Sequence, residues 1–156
     1  MRLRVIAVGT RMSGWVEAGC ADYTRRLRGA DVLEMIEVPV ARRSGPGDAA
    51  RAMATEAQRI LALLGPREYA VALDERGRSF TTLQFGDWLA ERRQAGDRVC
   101  FIIGGPDGLD PTVVQRAQLR WSLSALTFPH ALVRVLLAEQ LYRASTLLAG
   151  HPYHRP

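Results

Sequence analysis

The sequence predicts an α/β fold with a mainly parallel sheet and helices on both of its faces. Segments rich in β-branched and apolar residues alternate with helical segments along the whole chain. The segment "RVCFII" (98–103) is nearly all apolar, which is typical of a strand whose two faces are both covered. We find no repeat and no linker, so residues 1–156 are expected to form a single domain.

The strands are predicted from short apolar runs that end at glycine, proline or polar residues. Four such runs lie at residues 2–8, 32–38, 69–73 and 98–103. A fifth segment, "WSLSALTF" (121–128), is mixed in character and is either a strand or a loop.

The first two helices are bounded by residues that start or stop helices. Ser13 can cap a helix that ends at Gly29, and Asp48 can cap a second helix that runs to Leu64. The predicted apolar stripe of the first helix consists of Trp15, Gly19, Tyr23 and Leu27. The two arginines of the loop between 41 and 48, Arg42 and Arg43, are plausible contacts for phosphate or simply solvated charges.

The third helix has the clearest start signal in the chain. Thr81 and Gln84 have the spacing of a capping box, and Phe80 and Phe85 that of a hydrophobic staple. This helix is expected to end near Gly96.

The last two helices follow proline residues. Asp110 and Pro111 predict an N-cap and a first-turn proline for a short helix that reaches about Leu119. The final helix, within residues 130–150, is apolar on most of its circumference, so it is either central to the core or buried between subunits. Its apolar residues are Leu132, Val133, Val135, Leu136, Leu137, Leu141 and Leu148.

Composition excludes several classes of protein. The chain has no lysine, which excludes P-loop nucleotide hydrolases and lysine-dependent catalysis. No apolar run approaches the roughly 18 residues of a membrane span, so a cytoplasmic protein is expected. Cys20 and Cys100 are predicted to be buried thiols, and the net charge of +5 is weakly indicative of a polyanionic partner.

Three loops that leave strand ends are candidate ligand sites, because open parallel sheets bind ligands there. They follow Leu73, begin at Gly104, and occupy residues 122–128. The two glycines at 104 and 105 allow either a close ligand approach or a tight turn with positive φ. The segment "SLSALTF" could hold an adenine ring against main-chain groups, or be an ordinary core loop.

The C-terminal segment "HPYHRP" contains side chains that can donate, accept and carry protons. Chain ends are usually poorly ordered and lack such functional groups. His151 and His154 have the spacing of some metal pairs, but no cysteine or carboxylate lies beside them, so no metal site is predicted. Arg143 follows Glu139 by four residues, which predicts an ordinary helical ion pair.

Three long motifs together resemble the RlmH family of bacterial SPOUT methyltransferases. They are "IIGGPDGL", "LSALTFPHALVRVLLAEQLYRA" and the terminal "HPYHRP", and the likeness extends to the opening "LRVIAVGT". The resemblance implies a SPOUT fold with a C-terminal trefoil knot, a feature that general rules of topology would not predict.

The resemblance also implies a reaction. It is methyl transfer from S-adenosylmethionine to N3 of a pseudouridine, at the position conventionally numbered 1915 in helix 69 of 23S ribosomal RNA. The implied enzyme is a homodimer that acts on the assembled ribosome. Transferred by motif, the cofactor residues are Leu73, Gly104, Leu123, Ser124, Ala125, Leu126, Thr127 and Phe128.

The terminal segment is then expected to be a lid over the nucleobase. His154 is the best candidate for the general base that removes the N3 proton, with Tyr153 or water as alternatives. Arg143 or Arg155 could stabilise the developing anion, and Arg2, Arg4 and Arg11 are further candidate phosphate contacts. Two other functions stay open: a methyltransferase for another RNA such as tRNA, and a non-catalytic dimer that binds RNA or a nucleotide.

Overall fold

The structure, a computed structural model, describes residues 1–155, in which five strands alternate with five helices. In chain order they are β1 (Arg2–Val8), α1 (Gly14–Arg26), β2 (Val32–Val38), α2 (Asp48–Leu63), β3 (Tyr69–Ser79), α3 (Thr82–Gln94), β4 (Val99–Ile103), α4 (Pro111–Arg116), β5 (Leu119–Ser122) and α5 (His130–Leu148). A short 3-10 turn (Pro152–His154) follows. No helix among these residues is long and apolar enough to cross a membrane.

The five strands form one sheet in the order β2-β1-β4-β3-β5, and every neighbouring pair is parallel. Strand β1 pairs on both sides, so that Leu3 lies opposite Leu33 of β2 and Val99 of β4. The predicted α/β class with a parallel sheet is therefore confirmed. The trefoil knot stays a prediction.

Helices cover both faces of the sheet because the inner strands are apolar on both sides. Leu3, Val5 and Ala7 of β1 belong to a core cluster with residues of α3 and α5. Ile6 and Val8 belong to a second cluster with residues of α2 and α4 on the other face. The sheet is thus the middle of three layers.

The first helix buries most of the predicted face but not its first residue. Val16 and Cys20 are its buried residues, whereas Trp15 is 61% exposed. Only Trp15 of the predicted stripe was wrong, because Val16 takes the inward position. Leu27 is buried, and Gly19 and Tyr23 pack against α5 and the core.

Two helix boundaries also differ from expectation. Gly47, with a φ of +86°, is the N-cap of α2, while the side chain of Asp48 accepts a hydrogen bond from the Ser44 amide at 3.0 Å. The short helix α4 ends at Arg116, and Leu119 already begins β5.

The start signals of α3 and α4 are confirmed, whereas Ser13 is the N-cap of α1 without a side-chain hydrogen bond. The Thr81 hydroxyl accepts from the Gln84 amide, and the Gln84 side chain accepts from the Thr81 amide, which completes the capping box of α3. Asp110 caps α4 through the amide of Thr112. Cys20 and Cys100 are both buried free thiols, as predicted.

The final helix α5 lies centrally on one face of the sheet. Leu137 and Leu141 are fully buried in the first core cluster. Leu132, Val135 and Leu136 are only half-buried within the single chain. One stripe of α5 is therefore core, and another stays half-buried, so both alternatives for this helix remain open.

Candidate active site

A cleft of about 830 Å³ opens at the carboxyl edge of the sheet. Its walls come from β3, from the loop after β4, from the loop after β5 and from the first turn of α5. These are the strand-end loops that the sequence marks as ligand sites, and the structure brings all three of them together.

The residues that the resemblance assigns to the cofactor mostly line this cleft. Ala125 is the exception, because it is exposed and does not contribute to the wall. The residues that do contribute are Leu73, Gly104, Leu123, Ser124, Leu126, Thr127 and Phe128.

One rim of the cleft is a bulge in β3. Leu73 and Arg78 both pair with Trp121 of β5, so residues 74–77 protrude from the ladder. A Cβ on Gly77 would lie 2.6 Å from a backbone carbon of β5. The glycine therefore allows the bulge to pass directly against the neighbouring strand.

The glycines after β4 allow close backbone packing. A Cβ on Gly104 would lie 2.6 Å from the carbonyl carbon of Gly108, and one on Gly105 would lie 2.9 Å from Val8. Neither residue has a positive φ, but Gly108 does, at +84°. Steric space, rather than a left-handed backbone, is what requires glycine at 104 and 105.

Carboxylates lie along the cleft. The pKa of Asp74 is lowered: burial opposes the charge, but hydrogen bonds from the Arg76 amide and the Arg120 guanidinium favour it. Glu75 accepts a hydrogen bond from the Thr127 hydroxyl at 2.8 Å and so joins two walls of the cleft. Asp107 is a third lining carboxylate. Asp74 and Asp107 are each paired with an arginine, whereas Glu75 has no arginine partner among residues 1–155. Glu75 is therefore the rim charge that favours a cationic group on a ligand.

His130 lines the cleft and is the functional candidate that the sequence interpretation missed. Its Nδ1 is buried and has no hydrogen-bond partner among residues 1–155. Burial, and secondarily Arg134, lower the pKa of His130, so its imidazole is neutral at neutral pH. The signal in the sequence is its position directly after the "SLSALTFP" segment, at the start of the last helix.

The first turn of α5 is fixed to the sheet by a buried arginine. The Arg134 guanidinium donates to the Gly9 carbonyl at 2.7 Å and to the Glu37 carboxylate at 2.6 Å. Because Gly9 follows β1 and Glu37 lies in β2, this clamp sets where His130 meets the cleft.

The C-terminal segment does not line the cleft of its own chain. The Tyr153 hydroxyl donates to Glu139 Oε1 at 3.1 Å, and the Tyr153 ring lies 4.6 Å from the Tyr142 ring. Arg143 stacks over Tyr153 at 5.0 Å and forms the predicted ion pair with Glu139. The predicted catalytic residues Arg143, Tyr153 and His154 therefore lie together on one flank of α5.

The chemistry of this cluster limits the role of each member. Burial raises the pKa of Tyr153, and the Tyr23 hydroxyl and Glu139 carboxylate raise it further, so the phenol stays protonated. His154 has a buried Nδ1 without a partner among the described residues. His151 caps the 3-10 turn by accepting from the Tyr153 amide at 3.3 Å. Within residues 1–155, no group of His, Cys, Asp and Glu is placed to hold a metal ion.

The structure divides the candidate phosphate contacts into two groups. Arg4 and Arg43 form ion pairs with buried glutamates, so less of each guanidinium is available to a phosphate. Among the described residues, Arg2, Arg11 and Arg42 have no carboxylate partner. Arg11 and Arg42 follow β1 and β2 at the cleft edge, whereas Arg2 begins β1 at the opposite edge.

The sequence profile of a family described as "Predicted SPOUT methyltransferase" matches residues 1–154. The chain belongs to this family. The ribosomal RNA large subunit methyltransferase H of Alkalilimnicola ehrlichii is 50% identical to it over 159 residues, which cover 99% of each chain. The protein of the same name from Chromohalobacter salexigens is 50% identical over 155 residues, or 99% of this chain and 100% of that one. The resemblance seen in the sequence motifs is thereby confirmed.

The SPOUT fold is also found among solved structures. A probable methyltransferase from Bordetella pertussis Tohama I superposes with a TM-score of 0.57 at 17% identity, over 91% of this chain and 93% of that one. TrmJ from Z. mobilis ZM4 superposes with a TM-score of 0.53 at 18% identity, over 92% of this chain and 70% of that one. At these identities the likeness concerns the fold alone.

Proposed function

We propose that this SPOUT methyltransferase transfers a methyl group from S-adenosylmethionine to N3 of a pseudouridine in 23S ribosomal RNA. The proposed target is the position numbered 1915 in helix 69 of the assembled ribosome, which would place the enzyme in the cytoplasm. The observation that carries the proposal is the cleft at the three strand ends, lined by glycine, small and apolar residues. The names of the relatives, which refer to large-subunit ribosomal RNA, support the substrate class.

The cleft residues fit S-adenosylmethionine. The volume of about 830 Å³ is within the range of small-molecule sites. Leu73, Leu123 and Phe128 offer apolar walls for an adenine ring, and Gly104 leaves its main chain open. The Glu75 carboxylate at the rim suits a sulfonium or ammonium charge of this compound. When bound, it supplies an electrophilic methyl group.

The chain's own residues must position the base and remove a proton. N3 of pseudouridine is protonated at neutral pH, so a general base is expected to contribute about 10²–10⁴-fold. We assign that base to His154. Tyr153, whose phenol stays protonated, serves instead as a hydrogen-bond donor or a stacking surface for the flipped base. To Arg143, whose guanidinium lies over the Tyr153 ring, we assign the stabilisation of negative charge that develops on the base.

This assignment requires a second subunit. Glu139 accepts the hydrogen bond from Tyr153. It follows His130 by nine residues on α5, and since an α-helix rises roughly 1.5 Å per residue, it lies about 14 Å along the helix axis from His130 at the cleft. The segment of one chain would therefore act on the cleft of its partner. Half-buried Leu132, Val135 and Leu136 provide an apolar stripe on α5 for a homodimer.

His130 is a second candidate for the base, because it lines the cleft within one chain and its imidazole is neutral. His130→Gln and His154→Gln distinguish the two, with His151→Gln as the control from the same segment. We expect His154→Gln to lower the rate of transfer by about 10²-fold or more and His130→Gln by far less. The reverse order would assign the base to His130.

The function is tested by transfer of labelled methyl groups to ribosomes from a strain that lacks the gene. We expect label on intact ribosomes but little on free ribosomal RNA, with the product identified as 3-methylpseudouridine by mass spectrometry. Label in tRNA would support another RNA substrate. A folded dimer that neither binds S-adenosylmethionine nor transfers label would support the non-catalytic alternative.

A further inference from the structure

One side chain ties the loop after β2 to the glycine loop of the cleft. Arg43 Nη1 donates to Glu56 Oε2 at 3.0 Å and to the Ala41 carbonyl at 2.9 Å. Its Nε donates to Asp107 Oδ2 at 2.6 Å. A residue outside the cleft thus contacts a residue that lines it.

The Glu56 end of this link is fixed. Glu56 is 2% exposed, and it also accepts a hydrogen bond from the Ala41 amide at 2.9 Å. A buried carboxylate needs a charged partner, which holds the guanidinium of Arg43 in place. An exposed ion pair contributes little when both side chains must be ordered, but here the arginine is ordered already.

The Asp107 end of the link belongs to a loop with few other restraints. Residues 104–108 read "GGPDG", so Asp107 provides the loop's only charged side chain. The loop is otherwise closed by the hydrogen bond from the Gly108 amide to the Gly105 carbonyl, at 3.1 Å. Loss of the Arg43 contact would leave its shape to a short turn and to glycine backbone.

We propose that Arg43 is a positioning residue that acts through Asp107 to hold residues 104–108 in the shape that binds the cofactor. This inference rests on the proposed use of the cleft for S-adenosylmethionine. Since Arg43 does not line the cleft, its loss should weaken cofactor binding while transfer at saturating cofactor stays nearly normal.

The test compares Arg43→Gln and Arg43→Lys with Arg42→Gln, a neighbouring arginine without a carboxylate partner among residues 1–155. For Arg43→Gln we expect the Kd and KM of S-adenosylmethionine to rise about tenfold, with kcat changed by less than about twofold. Arg43→Lys should recover part of the loss, because one ammonium cannot bridge both carboxylates. Arg42→Gln should leave the cofactor Kd unchanged.

Hydrogen exchange of the ligand-free protein gives a readout independent of activity. We expect the amides of residues 104–109 to exchange faster in Arg43→Gln than in wild type, with the sheet unaffected. If Arg43→Gln fails to fold because Glu56 is left unpaired, the double variant Arg43→Gln/Glu56→Gln replaces it. In that background Asp107→Asn should change the exchange rates and the cofactor Kd little further, since Arg43, the partner of Asp107, is already absent.

Unchanged exchange and unchanged cofactor Kd in a folded Arg43→Gln variant would overturn the inference. A large additional effect of Asp107→Asn in the double-variant background would also overturn it, because Asp107 would then act directly. If wild type itself binds no S-adenosylmethionine, the proposed function fails, while the exchange experiment still tests whether Arg43 orders the loop.

Discussion

Three segments distant in the chain build the cleft, whereas the C-terminal segment (residues 151–155) packs against the helix that directly precedes it. The cleft walls are therefore complete within one subunit, and the sheet fixes their geometry. The C-terminal segment contains the predicted catalytic side chains, but it does not line the cleft of its own chain. Under the proposed function this difference separates two tasks: one chain would bind the cofactor, and a second subunit would complete the site for transfer.

Removal of residues 151–156 tests that separation most severely. We expect methyl transfer to fall by about 10²-fold or more, because the base and the aromatic contact are lost. Cofactor affinity should stay within about twofold, and circular dichroism and sedimentation should still show a folded dimer. Full turnover by the truncated enzyme on ribosomes would contradict the hypothesis that this segment is a lid.

Arginine substitutions locate the surface that meets RNA relative to the cleft. Arg11→Gln and Arg42→Gln, at the cleft edge, should each weaken ribosome binding several-fold. Each should also reduce, by about one, the magnitude of the slope of the logarithm of the binding constant against the logarithm of the salt concentration. Arg2→Gln, at the opposite edge of the sheet, is the matched control and should change neither. Equal effects of all three substitutions would mean that RNA affinity does not depend on the cleft edge.

The stability of the cleft wall should depend on pH through His130. Its pKa in the folded state lies below the ordinary value of 6.5, so below that pH the unfolded chain binds more protons than the folded one. We therefore expect stability to fall as the pH drops below about 6.5, and less so in His130→Gln. Urea denaturation between pH 5 and 7.5 measures the free energy of unfolding of wild type and of His130→Gln. The same dependence of that free energy on pH in both proteins would contradict the prediction.

The smallest expected effect concerns the sheet beneath the cleft. Burial raises the pKa of Cys100 to about 12, and burial also raises that of Cys20. Neither thiol should react with iodoacetamide in the native protein at pH 8, whereas both should react in denaturant. Rapid native labelling of Cys100 would show that the sheet opens more than the structure implies.

The sequence predicted the cleft well because its parts are local signals at strand ends. Leu73 and Gly104 follow apolar strands, and parallel strands place their carboxyl ends at one edge. The β3 bulge at residues 74–77 was not predicted, since it depends on pairing with β5, a strand distant in sequence.

The remaining errors share a physical cause. Trp15 was placed on the buried face because an aromatic residue fits the helical period as well as Val16 does, and only the packing of α1 decides between them. The role of His130 depends on the Arg134 clamp, which joins α5 to Gly9 and Glu37. Tertiary contacts of this kind leave no periodic pattern in the sequence.

The central claim is that the strand-end cleft binds S-adenosylmethionine, and calorimetry on two glycine variants tests it most directly. A Cβ at Gly104 meets the backbone of Gly108 at 2.6 Å, while one at Gly45 meets no atom within 4 Å. We predict that Gly104→Ala, if folded by circular dichroism, loses at least about tenfold in cofactor affinity, and that Gly45→Ala binds as wild type does. Wild-type affinity in a folded Gly104→Ala would contradict the account.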